Sequence, residues 1–250
     1  MSTQAKHRLI RLCGLLSLIL VWQLLAMQIS DMILASPWQT LVKLLELLQE
    51  ASFWQTLSVT LIRLAAALSI GISIGFALGL WAGRRAYVKH FLEPFRWVLM
   101  SVPPVIVVLL AMLWFGMGTQ MVIFIAVLLL TPSIYINTQK GVEQIDDSWL
   151  ELAHVYRFTP WQKISRLYIP AISAPLCAAI VIVCCNGVRI VVLAEVLGAS
   201  NGLGFELANA RSNFDISELY AWVITSLLLV AVLELLLLNP VQKHILRWRL

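Results

Sequence analysis

Charge is what this sequence most lacks. Only 12% of its 250 residues are Asp, Glu, Lys or Arg, while 60% are hydrophobic; soluble domains carry about a quarter charged residues. That scarcity excludes an ordinary water-soluble protein, because so much apolar surface cannot be hidden in a core of this size. The solvent must be lipid. Metal-ligating residues are few as well. The four cysteines, Cys13, Cys177, Cys184 and Cys185, all lie in apolar runs, and the adjacent Cys184-Cys185 pair has no histidine nearby, so no metal spacing appears. The four histidines, His7, His90, His154 and His244, sit near or beyond the ends of apolar runs. A membrane-embedded enzyme would need a clustered His, Asp or Cys constellation, and none is seen. A Gly-x-x-x-x-Gly-Lys-Ser/Thr loop is also missing, so the chain has no phosphate cradle of its own. The net charge of +5 does not imply nucleic acid, since the basic residues come in short groups between apolar runs and not on one arm.

What the sequence has is long apolar runs. About 20 apolar residues cross a bilayer as a helix, and on that measure there are six spans: Leu9–Ile29, Leu57–Trp81, Trp97–Phe115, Met121–Ile136, Ala174–Leu197 and Leu219–Leu238. The first is too long for a signal peptide and no small-residue cleavage site follows it, which favours a retained span. Fourteen of the 18 Lys and Arg fall at the two termini and in the second-to-third and fourth-to-fifth loops. With six spans these all lie on one side, and the positive-inside rule makes that side, with both termini, cytoplasmic. No linker divides the chain, so residues 1–250 form one all-α membrane domain.

Two further patterns carry structural information. After Ser36-Pro37-Trp38, apolar Leu41, Leu44, Leu45 and Leu48 alternate with Lys43, Glu46, Gln49 and Glu50, as in an amphipathic helix on the outer surface. Gly71, Gly75, Gly79 and Gly83 recur every four residues along one face of the second span, which lets another backbone approach closely.

The cytoplasmic loop 139–170 is the most informative segment. A short helix starting at Asp146 or Asp147 places Leu150, Ala153 and Tyr156 near one face. Thr159, Pro160 and Gln162 spell a capping box for a second helix, which Pro170 is expected to close. Two short helices with exposed apolar residues on the first make a docking knob, with Leu150–Phe158 as its contact segment.

These residues resemble the cytoplasmic loop of ATP-binding-cassette (ABC) importer permeases, in which Glu-Ala-Ala is followed after three residues by Gly and later by Ile-x-Leu-Pro. Here Glu151-Leu152-Ala153 fills the first part and Leu167-Tyr168-Ile169-Pro170 the last. Arg157 stands where the Gly belongs, and a helix can continue through Arg where Gly would let it turn. Other matching pieces are Ser36-Pro37, Arg63, Pro103-Pro104, Leu113–Gly116, Asn137-Thr138 and Ala194–Gly204, closest to the branch serving sulfonate, taurine and nitrate. The resemblance implies a type I importer permease in a bacterial inner membrane. It would work as a dimer of permease copies with an ATPase dimer that holds the ATP-Mg, and with an extracytoplasmic solute-binding protein. It also implies that Leu150, Glu151, Ala153, Tyr156, Arg157 and Pro170 couple to the ATPase, with His154 at the same interface. No cofactor or metal is expected on this chain.

Ionisable and broken positions inside spans default to function because they are costly in lipid. Arg189 lies roughly 28 Å along the helix axis from Pro170, in the outer half of the fifth span. Candidate pathway residues are Pro103, Pro104, Asn186, Arg189 and Glu195, with a structural ion pair or carbonyl contact between helices as the other reading of Arg189, and a structural role near the outer interface or a contact to the binding protein as the other readings of Glu195. Glu234 has no obvious partner. An ion-coupled secondary transporter is the alternative, and it would call for internal repeats and intramembrane carboxylates.

Overall fold

The structure is a computed structural model that describes residues 3–247; Arg249, among the C-terminal basic residues counted above, lies outside that range. Eleven α-helices account for nearly all of it: α1 (Thr3–Gln28), α2 (Pro37–Gln49), α3 (Ala51–Arg84), α4 (Ala86–Ser101), α5 (Pro104–Phe115), α6 (Thr119–Glu143), α7 (Asp147–Val155), α8 (Pro160–Lys163), α9 (Ile169–Gly198), α10 (Leu203–Ser212) and α11 (Ile216–Arg247). By length and composition α3, α6, the rod from Pro160 to Gly198 and Ile216–Leu236 of α11 can each cross a membrane. In α1 the described apolar part is Leu16–Gln28.

The third expected span is not one straight helix. It is split between α4 and α5, whose axes meet at 100°. The residue before a proline is pushed out of the helical region, and both Val102 (ψ 126°) and Pro103 (ψ 134°) precede one. Neither Pro103 nor Pro104 offers an N–H, so the ladder of α4 ends where Val102 donates to the Val98 carbonyl. Pro104 then opens α5 at its first position, where a missing donor costs nothing.

α3, α6 and α9 form the centre, around Ala67, Val108, Ile125, Ala126, Ile134, Val183 and Val191. The glycine stripe is what lets α3 lie against α6. A Cβ on Gly75 would stand 2.8 Å from both Ile134 Cβ and the Thr131 carbonyl, and one on Gly79 would stand 2.7 Å from Thr138 Cβ and the Tyr135 carbonyl. These are contacts within one chain, so the stripe serves internal packing. At one end α2 lies against α11 through Thr40, Leu44 and Leu47. Phe53 stacks on Trp222 at 5.2 Å, and Lys43 bridges Asp215 (3.5 Å) and Glu218 (3.4 Å). The expected amphipathic helix is therefore present, but Leu41 and Leu45 stay exposed while Leu44 and Leu47 bury against protein.

Candidate functional site

The loop between α6 and α9 folds as two capped helices. Asp146 caps α7 by accepting from Ser148 N at 3.1 Å and from the Ser148 hydroxyl at 3.0 Å; these bonds hold its carboxyl below the ordinary value. Thr159 and Gln162 close the expected capping box of α8, with Pro160 at its first position. Leu150 packs against the buried cluster of Leu80, Val142, Tyr168 and Ile172, which roots α7 beneath the ends of α3, α6 and α9. The Arg84 guanidinium sits over the Tyr168 ring at 5.3 Å.

This rooting changes which side of α7 is free. Ala153 is only 3% exposed and Leu150 is half-buried, so neither belongs to an outward face. The exposed apolar side is Trp149, Leu152, Val155 (75%) and Tyr156 (69%), and Trp161 stands exposed on α8. The expected trio is thus corrected to a neighbouring stripe of the same helix, and only Tyr156 is common to both. Glu151 and His154 are exposed as well.

Arg157 also departs from expectation. The helix does not run through it: its φ is +50°. Its N–H donates to the His154 carbonyl (2.9 Å) and that of Phe158 to the Ala153 carbonyl (3.0 Å). That bond pair is the Schellman ending, in which a left-handed residue, usually Gly, turns the chain. Arg157 therefore makes the turn that the family's Gly would make. Pro170 departs in the opposite direction. It does not close α8, because residues Ile164–Tyr168 form a π turn that carries α8 directly into α9. The wider turn removes the need for an N–H at Pro170 and for close approach to the carbonyl four residues back. The result is one continuous rod from Pro160 to Gly198.

Within the apolar part, the expected pathway residues do not converge. Asn186 and Arg189 lie about one turn apart on α9, with Arg189 exposed and Asn186 half-buried. Pro103 and Pro104 are exposed at the α4–α5 bend. Glu234 on α11 is exposed.

Glu195 belongs elsewhere. It is fully buried and pairs with Arg63 Nη1 at 2.7 Å, so it lines no open path within this chain. Its oxygens also accept from the Thr60 hydroxyl (3.1 and 3.0 Å) and from Gly204 N (3.0 Å). Arg63 spends every donor: Nε and Nη2 reach Thr119 Oγ1 (3.2 and 2.9 Å), Nη1 reaches the Asn201 carbonyl (2.8 Å), and Nη2 reaches Asn201 Oδ1. Gly202, at φ +104°, has no room for a Cβ, which would fall 2.4 Å from Glu195 Oε1. This knot ties α3, α6, α9 and the start of α10 together. Sequence reasoning noted Arg63 only as a matching fragment and missed the pairing. The available signal was that a lone Arg and a lone Glu in separate spans each need a counter-charge.

Comparison with known proteins agrees with this architecture. A protein named as an aliphatic sulfonates transport permease, SsuC of Bacillus subtilis, is 26% identical over 93% of this chain and 84% of its own length. The taurine transport system permease protein TauC of Escherichia coli is 26% identical over 91% and 84%. A bacterial ABC transporter involved in import of the acidic polysaccharide alginate shares the fold, with a TM-score of 0.71 and 16% identity over 96% of this chain and 98% of that one. The fold is that of type I ABC importer permeases, as the sequence resemblance implied. Residues 75–248 match the binding-protein-dependent transport system inner membrane components, and since that match spans more than half of the sequence, the chain belongs to this family of membrane-spanning transport permeases.

Proposed function

We propose that the chain forms the translocation pathway of an ATP-driven importer for a small sulfonate- or taurine-like anion. In this reading a solute-binding protein delivers the solute, a second copy of the permease completes the pathway, and a separate ATPase pair supplies the energy. Both termini and the α7–α8 loop then face the cytoplasm. The observation that carries the reading is the exposed stripe Trp149, Leu152, Val155 and Tyr156 on a helix rooted against three spans. Apolar surface of that kind, presented to water, marks a docking site. A push on α7 and α8 has a direct mechanical route into the membrane, because α8 is continuous with α9. The exposed Arg189 on that same rod supplies a positive charge suited to an anionic solute.

Two measurements test this. A cysteine replacing Leu152 should crosslink to a cysteine series in the ATPase subunit, in membranes where a periplasm-restricted thiol reagent leaves it unmodified. Labelling from the periplasmic side would sink both the orientation and the docking assignment. Arg189→Gln should cut uptake about tenfold or more, in line with loss of a charge-assisted contact, while ATPase association persists. If the variant loses ATPase association along with uptake, Arg189 has a structural role.

A further inference from the structure

The turn that joins α10 to α11 displays an aromatic ring that the chain's own packing does not use. α10 ends as α7 does: Phe214 N donates to the Arg211 carbonyl (3.2 Å) and Asp215 N to the Ala210 carbonyl (3.0 Å). This Schellman ending puts Phe214 in the left-handed region, at φ +59°. Glycine adopts that conformation freely, whereas an L-residue does so at a cost. Burial does not offset that cost. The ring is 82% exposed, more than any other large apolar side chain among the described residues. A single exposed phenylalanine is ordinary; one held where glycine fits better points to a use outside the chain.

The support under the ring is rigid and complete without it. Asp215 Oδ1 accepts from Glu218 N at 2.9 Å and so caps α11, while Lys43 of α2 bridges both carboxylates. Ala210 and Trp222 share one buried cluster with Phe53, which roots α10 and α11 together. Around the ring, Asn209, Arg211, Ser212 and Asn213 are all exposed, a polar rim that suits water and not lipid. The Arg211 guanidinium makes no ion pair among the described residues. A ring and an unpaired guanidinium within one helical turn are the residue types in which interface hot spots are rich. Fixed on such a turn, the ring loses little freedom when it docks.

We propose that Phe214 and Arg211 anchor the extracytoplasmic solute-binding protein. The ring fills an apolar pocket on that protein, and the guanidinium pairs with a carboxylate at the pocket's rim. The proposal rests on the importer reading above and names the residues through which the binding protein docks. Its place follows from the rod Pro160–Gly198: α7 and α8 stand at one end of it and α10 follows the other. A cytoplasmic α7–α8 loop therefore puts Phe214 on the far side of the membrane. A membrane component of a binding-protein-dependent system meets its binding protein on that face.

The test uses the permease–ATPase complex in nanodiscs and, as probe, the purified binding protein that supports uptake by the wild-type complex. Phe214→Gly and Phe214→Asn both suit the left-handed turn. Each should weaken affinity for that probe about tenfold or more, the scale of an interface anchor, without lowering the thermal stability of the complex. Phe214→Tyr should keep most of the affinity. Arg211→Gln should weaken it about fivefold at low salt, and less as salt is raised. If Phe214→Gly binds the probe as the wild type does, this proposal is overturned and the importer reading stands. If no binding protein supports uptake by the wild type, the importer reading falls and this proposal with it. A loss of thermal stability in both Phe214→Gly and Phe214→Asn would make the ring a structural element and overturn the proposal too. So would a photoreactive benzoylphenylalanine in place of Phe214 that crosslinks to lipid or to a second permease copy and not to the binding protein.

Discussion

The two ends of this molecule handle their costly groups in opposite ways. At the end formed by α2, α10 and the loop 199–202, a full charge pair is buried and every Arg63 donor is spent inside the chain. At the end formed by α7 and α8, charged groups stay in solvent and large apolar side chains are left uncovered. The first end is finished by its own residues; the second leaves apolar surface that, in the proposed function, a partner covers. The difference shows where rigidity is internal and where it is borrowed, and it separates substitutions that damage the fold from those that damage assembly.

The largest effect should come from breaking the buried pair. Glu195→Ala leaves the Arg63 guanidinium and the Thr60 hydroxyl without their acceptor, and removing one partner of a buried pair costs about 3–5 kcal/mol. Thermal unfolding of the detergent-solubilised protein should show a large drop, or the variant should fail to accumulate in membranes. Replacing both members, Arg63→Met with Glu195→Leu, should recover much of that loss, because well-packed apolar residues avoid the desolvation penalty. If the double variant is no better than the single one, the contacts to Thr119 and Asn201 matter more than the pair.

A comparison within α7 sharpens the contrast. Leu152→Arg places a charge on the exposed stripe, where it meets water in the isolated permease. It should leave unfolding unchanged yet weaken ATPase association by about 2 kcal/mol or more, the range of an interface anchor. Ala153→Arg forces a long side chain into a position that is 3% exposed. It should destabilise the loop itself, by about 1–3 kcal/mol as overpacking does. Limited proteolysis of the permease alone distinguishes them, since only Ala153→Arg should speed cleavage between residues 144 and 164. Faster cleavage in Leu152→Arg would mean that the stripe packs within the chain.

Much of this organisation was legible in the sequence, and the limits have physical causes. Apolar runs located α3, α6, α9 and α11 because lipid imposes a length. Thr159-Pro160 and Gln162 located a cap because capping is local. The Pro103-Pro104 break was visible, but not its 100° angle, which depends on what α4 and α5 pack against. The rotation of α7 was not legible, because it carries apolar residues on two neighbouring stripes. Only the distant partners Leu80, Val142, Tyr168 and Ile172 decide which is buried. The Arg63–Glu195 bond joins residues 132 apart, and nothing local marks either as the other's partner.

The smallest expected effect lies at Arg157, where the two ends share one way of stopping a helix. Both α7 and α10 end on a left-handed residue that is not glycine: Arg157 at φ +50° and Phe214 at φ +59°. For an L-residue that conformation costs about 1–2 kcal/mol relative to the right-handed one, and glycine avoids it. The Arg157 side chain is exposed and makes no ion pair among the described residues. Arg157→Gly therefore loses no contact in the isolated permease and relieves the turn. Against that gain stands the greater freedom of Gly in the unfolded chain, which returns part of it. The net expectation is a stabilisation of about 0.5 kcal/mol, read as slower proteolysis of the 144–164 segment with unfolding of the remainder unchanged. If the proposed docking role of α7 holds, the strained Arg serves the partner, since a guanidinium at the tip of that helix suits a carboxylate across the interface. ATPase association should accordingly fall in Arg157→Gly even as the loop becomes more resistant. If association holds, the arginine has no role at the interface. If the loop becomes more labile, the left-handed turn is not the conformation it adopts.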